Sequence, residues 1–103
     1  MNYNVVFTEA ANRNLDVLVK YIINEFCNKQ AAKHLLESIA DVIDNIGENP
    51  YMYSRCKEPF LYFKGYRRAI ITGTKYILIY KKENTNVYIM GIFHSLEDYK
   101  NKL

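Results

Sequence analysis

Two helical periodicities, one directly after the other, constrain the fold of this chain more than any other feature. Apolar residues recur at intervals of three and four over residues 15–26 and again over residues 32–46. Such spacing places apolar side chains on one face of an amphipathic helix. Thr8 and Asn28 are suited to cap the two helices, and the second must end before Pro50, because the residue before a proline disfavours helical geometry. We therefore predict an antiparallel helical hairpin that needs a partner layer.

A predicted β-sheet supplies that layer. One short run rich in β-branched residues precedes the first helix, and three more follow an irregular stretch from Tyr51 to Gly65. The last two runs are apolar on both faces, as expected of central strands. Ser95, with Asp98 three residues later, predicts the start of a short C-terminal helix. The predicted strands cover residues 3–7, 67–72, 76–80 and 87–94.

The predicted fold class is therefore α+β. An N-terminal strand and an antiparallel helical hairpin precede the other strands, and the hairpin packs on one face of a mainly antiparallel four-stranded sheet. A chain of 103 residues is expected to form a single domain over residues 1–103. We see no signal peptide and no apolar run long enough to span a bilayer, which predicts a cytoplasmic protein without a membrane partner. Cys27 and Cys56 have no metal-site spacing, and the sequence has no glycine-rich phosphate loop, so neither a metal nor a cofactor is expected.

Charge is distributed unevenly along the chain. Residues 1–63 contain six basic and eight acidic side chains, whereas residues 64–103 contain eight basic and three acidic ones. A basic half indicates a polyanionic or acidic partner, through long-range attraction and counterion release. Alternatively, the excess of basic residues serves only to keep the protein in solution and binds no partner.

Two features stand out as candidate functional residues. Arg67 and Arg68 are adjacent in a predicted strand, so they point to opposite faces and only one faces the hairpin. The other could bind phosphate or carboxylate with both of its terminal nitrogens, or form a salt bridge at the rim. His94 closes the last strand, where alternation places it on the face of Ile92, Met90 and Tyr88. It could act as an acid or base near neutral pH, or bond the neighbouring turn.

The order of these pieces resembles the RelE/ParE superfamily of bacterial toxins from type II toxin–antitoxin modules. The N-terminal strand, the hairpin and the stop at Asn49-Pro50 are shared features. The resemblance implies a growth inhibitor that is neutralised by an acidic antitoxin in a hetero-oligomeric complex. The other matching segments are residues 65–71 (GYRRAII), 76–81 (YILIYK) and 87–94 (VYIMGIFH), followed by Asp98-Tyr99.

The superfamily has two modes of action. RelE-like members cleave mRNA on the ribosome with basic residues and often a Tyr or His around the scissile phosphate, whereas ParE-like members poison DNA gyrase. Arg67 or Arg68 matches a basic position of the nucleases, and Tyr99 a tyrosine of their C-terminal helix. However, Ile77 and Glu97 stand where nucleases prefer cations, so the resemblance favours gyrase. The alternatives are the ribosome-dependent endonuclease and a non-toxic binding module of the same fold.

The active residues are expected on the sheet face opposite the hairpin and on the C-terminal helix. Different elements would bring together five candidates there: Arg67, Arg68, Tyr80, His94 and Tyr99.

Overall fold

The computed structural model describes residues 3–103. Its elements follow the predicted order, with one additional short helix. They are β1 (Asn4–Phe7), α1 (Glu9–Phe26), α2 (Lys29–Glu48), α3 (Pro59–Phe63), β2 (Tyr66–Ile70), β3 (Tyr76–Glu83), β4 (Asn86–His94) and a C-terminal 3-10 helix (Tyr99–Lys102).

The helical hairpin forms as the sequence predicts. The Thr8 hydroxyl accepts a hydrogen bond from the amide of Ala11 at 3.2 Å, and the Asn28 side chain accepts one from the amide of Ala31 at 2.9 Å. Each side chain thereby satisfies an amide that lacks a partner within its helix. Cys27 turns the chain between the two helices in the left-handed conformation, with φ of 47°. Both predicted caps are confirmed.

The sheet has four strands in the order β1-β4-β3-β2. β1 runs parallel to β4, and the other two pairs are antiparallel. The mainly antiparallel sheet is therefore confirmed. The register between β3 and β4 shifts between Ile79 and Tyr80, because Ile79 pairs with Gly91 whereas Tyr80 pairs with Ile89. This bulge leaves Met90 unpaired and changes which β4 residues share a face.

Both faces of the sheet are covered. On the hairpin face, the helices pack on a buried cluster that includes Leu78, Tyr80 and Ile89. On the opposite face, which we call the α3 face, α3 and the C-terminal 3-10 helix cover a second buried cluster. The sequence predicts a covering layer on one face only, whereas the structure has one on each, because strands that are apolar on both sides need both. The second cluster consists of Cys56, Leu61, Tyr66, Ile77, Ile79, Phe93 and Tyr99.

Two local predictions are corrected. The stretch after α2 contains α3, with Pro59 at its first position, where the missing amide hydrogen costs nothing. The C-terminal helix begins at Tyr99 rather than after Ser95, and it is a 3-10 helix preceded by Asp98. The Ser95 amide instead donates to the carbonyl of Lys75, which places Ser95 in a turn. Within residues 3–103, no helix is both long and apolar enough to cross a membrane.

Candidate functional site

Arg67 lies on the hairpin face and anchors the segment that follows α2. Its Nη1 donates a hydrogen bond of 2.6 Å to the carbonyl of Tyr53, and its guanidinium lies 5.3 Å from the centre of the Tyr51 ring. The side chain is half-buried and pairs across the sheet with Tyr80. These contacts give Arg67 a structural role.

Tyr80 is fully buried on the hairpin face. Its hydroxyl donates to the carbonyl of Pro50 at 2.8 Å, and its ring meets that of Tyr53 edge-on. Burial raises the pKa of Tyr80 well above its ordinary value. The prediction that Tyr80 lies on the face opposite the hairpin is therefore wrong.

Arg68 and Tyr99 meet on the α3 face. The Tyr99 hydroxyl donates to Glu58 at 2.9 Å, and Arg68 lines the adjoining cavity of about 220 Å³. Within residues 3–103 the buried Nε of Arg68 has no hydrogen-bond partner. The sequence correctly places the two arginines on opposite faces, and the structure brings one of them to Tyr99.

The Tyr99–Glu58 contact predicts an alkaline limit to stability. Burial, followed by the hydrogen bond with Glu58, raises the pKa of Tyr99 from 10.0 to about 12. The folded state thus favours the neutral phenol. The Tyr99 hydroxyl therefore contributes fully to the free energy of unfolding below pH 10, and this contribution is lost as the pH rises towards 12. Wild type should lose up to about 2–3 kcal/mol more unfolding free energy over this range than Tyr99→Phe. Denaturant titrations at several pH values measure the difference, and exposed Tyr51→Phe is the control. Equal losses of unfolding free energy in wild type and Tyr99→Phe would contradict this role of the Tyr99 hydroxyl.

His94 stabilises the turn after β4. Its Nδ1 accepts a hydrogen bond from the Leu96 amide at 3.2 Å, and its own amide donates to Glu97 at 3.1 Å. Its ring packs edge-on against Tyr76. These are the contacts that the structural alternative for His94 predicts. Because of the bulge, His94 faces the hairpin with Ile92 but not with Met90, so the predicted face is only partly correct.

His94 also borders a groove of about 660 Å³ between α1 and the end of β4. Val17 and Tyr21 line this groove and are 67% and 49% exposed. Glu97, at its rim, accepts a hydrogen bond from the Lys102 ammonium, which lowers the pKa of Glu97. The five candidates thus fall into three places: Arg67 with Tyr80, Arg68 with Tyr99, and His94 alone.

Sequence reasoning missed the residues that surround Arg68. Arg55, Lys57 and Glu58 lie in the stretch taken as irregular, yet they line the cavity beside Tyr99. A finer charge count would have found this region, because residues 51–82 contain eight basic side chains and a single acidic one, Glu58.

Cys56 is fully buried in the second cluster. Burial raises the pKa of the Cys56 thiol to about 11, so it is not a ready nucleophile. Among the residues that the structure describes, no group of three or more His, Cys, Asp or Glu side chains could hold a metal ion.

Comparison with known proteins identifies the class. The family model of the ParE toxin of type II toxin–antitoxin systems matches residues 5–99. The chain therefore belongs to the ParE toxin family, within the RelE/ParE superfamily. No curated protein matches the sequence.

Three solved structures share the fold. The chromosomal ParDE system from P. aeruginosa superimposes with a TM-score of 0.73 at 13% identity, covering 89% of this chain and 95% of its own. The RelBE2 toxin–antitoxin complex from Mycobacterium tuberculosis gives 0.58 at 20% identity, covering 91% and 99%. The YoeB dimer from Staphylococcus aureus gives 0.63 at 16% identity, with the same coverage of 91% and 99%.

Proposed function

We propose that this toxin arrests growth by inhibiting DNA gyrase. The observation that carries the proposal is an apolar residue on the α3 face at a position where nuclease members of the superfamily are expected to place a cation. Ile77 stands at one such position and is 1% exposed within the second buried cluster. Glu97 stands at another, where a carboxylate paired with Lys102 replaces the cation. The match to the ParE family supports the same choice.

The proposed partner is an acidic antitoxin. Two of the structural neighbours are described as a ParDE system and a RelBE2 toxin–antitoxin complex. The groove between α1 and β4 exposes Val17 and Tyr21, which suits the apolar side of an amphipathic segment. Antitoxins of this kind wrap the toxin with a segment that folds on binding. Carboxylates of the same partner could also neutralise the excess of basic residues over 51–82.

A ribosome-dependent mRNA endonuclease is the second candidate, and one observation favours it. Glu58 accepts hydrogen bonds from the Tyr99 hydroxyl at 2.9 and 3.2 Å, and Arg68 lines the same cavity. A carboxylate can activate a ribose hydroxyl, and an arginine can stabilise the charge that develops on the phosphate. If the toxin is such an endonuclease, the Glu58→Gln variant should no longer cleave mRNA.

Expression with and without the proposed antitoxin tests directly whether the chain is an active toxin. Induced expression in a bacterium should stop growth, because the free toxin would inhibit its target. Co-expression of the small open reading frame beside the gene should restore growth, because that frame is expected to encode the antitoxin. Growth curves and colony counts measure both effects, and the same gene with an early stop codon is the control. Normal growth at high soluble expression would instead support a non-toxic binding module of this fold.

A further inference from the structure

The outer surface of α3 carries three aromatic rings that the core does not use. Leu61 is fully buried, whereas Phe60, Tyr62 and Phe63 are 60%, 44% and 84% exposed. The Tyr62 amide donates a hydrogen bond of 2.8 Å to the Glu58 carbonyl, which fixes the helix at its first turn. A cluster of exposed aromatic side chains in a fixed position is typical of an interaction site.

Two exposed cations accompany these rings. The Arg55 guanidinium lies 4.9 Å from the centre of the Tyr62 ring, and the Lys64 ammonium lies 4.3 Å from the centre of the Phe60 ring. The ring of Phe63 meets that of Tyr62 edge-on. These five side chains form one surface, which we call the α3 patch.

The positive charge of the α3 patch is not balanced locally. Within residues 3–103, no ion pair includes Arg55 or Lys64. The carboxylate of Glu58, which directly precedes α3, instead accepts hydrogen bonds from the Tyr99 hydroxyl at 2.9 and 3.2 Å. The α3 patch is therefore complementary to the carboxylates of a partner.

These features favour an acidic protein surface over two other occupants. A second copy of this chain would bring Arg55 and Lys64 against like charges, since a two-fold interface joins the same patch of both copies. A nucleic-acid base stacks on a ring face, but a cation already covers one face of Phe60 and one face of Tyr62. An acidic protein surface meets both parts of the patch, because its carboxylates reach the cations while its apolar side chains pack on the rings.

The α3 patch is separate from the groove proposed for the antitoxin. That groove lies between α1 and the end of β4, and none of the five patch residues lines it. A segment seated in the groove therefore leaves the α3 patch to another partner.

We propose that the α3 patch is the surface through which this toxin binds gyrase, at an acidic region of the enzyme. The inference rests on the proposed function and locates its protein contact. Phe63, the most exposed of the three rings, is the apolar anchor, and Arg55 and Lys64 pair with carboxylates around it. Buried aromatic anchors supply much of the energy of protein association, whereas charges at the rim mainly raise the association rate.

Binding of the purified toxin to immobilised gyrase, in the absence of DNA, tests this surface. Phe63→Ala should weaken binding about tenfold or more, and should raise by the same factor the toxin concentration that halves supercoiling. Lys64→Glu should slow association about tenfold at low salt and by less at high salt, because salt screens the charge. Both side chains are exposed, so circular dichroism should show the wild-type fold.

Matched controls lie on the hairpin. Phe26→Ala removes a ring that is 63% exposed, and Lys29→Glu reverses an exposed charge, so both should bind and inhibit gyrase like wild type. If wild type and both patch variants inhibit gyrase equally, the proposed function stands and the assignment of the α3 patch is wrong. If wild type neither binds nor inhibits gyrase, the proposed function fails and this surface fails with it.

Three further results would assign the α3 patch to another occupant and overturn the proposal. Variants that inhibit gyrase normally but escape relief by the co-expressed reading frame would make the patch an antitoxin contact. A dimer in light scattering that Phe63→Ala dissociates would make it a contact between two copies. Binding of a labelled single DNA strand that Phe63→Ala abolishes, with gyrase binding unchanged, would make it a nucleic-acid contact.

Discussion

Tyr80→Ala is expected to lower the free energy of unfolding by about 3–5 kcal/mol. The ring is fully buried between β3 and the segment after α2, so its removal leaves a cavity in the first cluster. The loss includes the hydrogen bond to the Pro50 carbonyl and the edge-on contact with Tyr53. Denaturant unfolding followed by circular dichroism measures the change.

Two further variants separate the parts of this effect. Tyr80→Phe keeps the ring but leaves the Pro50 carbonyl without its donor, which should cost about 1–3 kcal/mol. Tyr21→Ala removes a ring that is 49% exposed on α1 and should change stability by less than about 1 kcal/mol. A loss for Tyr80→Ala no larger than that for Tyr21→Ala would show that Tyr80 does not anchor the core.

Tyr80 matters beyond stability, because it holds the segment that leads to α3. Its hydroxyl fixes Pro50, and Arg67 fixes Tyr53 through a 2.6 Å hydrogen bond. Ser54 and Cys56 then pair along the edge of β2, since the Arg68 amide donates to Ser54 and the Cys56 amide donates to Tyr66. This chain of contacts places α3 over the second face of the sheet.

The hairpin and the strands were predictable because their signals are local. Long amphipathic stripes and the caps at Thr8 and Asn28 require no knowledge of the tertiary structure. α3 was not predicted, because a helix of five residues is too short to show a periodicity. Pro59 at its first position was the available signal.

The candidate site was harder to predict because it depends on which face each side chain takes. Alternation correctly separates Arg67 from Arg68. It fails along β4, where the bulge opposite Ile79 and Tyr80 shifts Met90 to the other face. Gly91 was the available signal, because an isolated glycine inside a strand often marks a bulge. The pattern of β3 cannot show which face Tyr80 takes, because this strand is apolar on both faces.

Glu58 shows a different limitation. Its carboxylate contacts Tyr99 across 41 positions of sequence, and only the tertiary fold brings the two together. Charge counting can locate the basic region from residue 51 to residue 82, but it cannot place one carboxylate within it.

A paired assay tests most directly whether this ParE family toxin acts on gyrase, as we propose. The purified chain is added to gyrase with relaxed plasmid, and separately to translating ribosomes with a defined message. Tyr80→Ala, which is expected to be destabilised, controls for effects that do not require the fold. We predict that supercoiling falls with increasing wild-type chain while the message stays intact. Codon-phased cuts in the message that disappear in Glu58→Gln, with supercoiling unaffected, would contradict the claim and select the endonuclease.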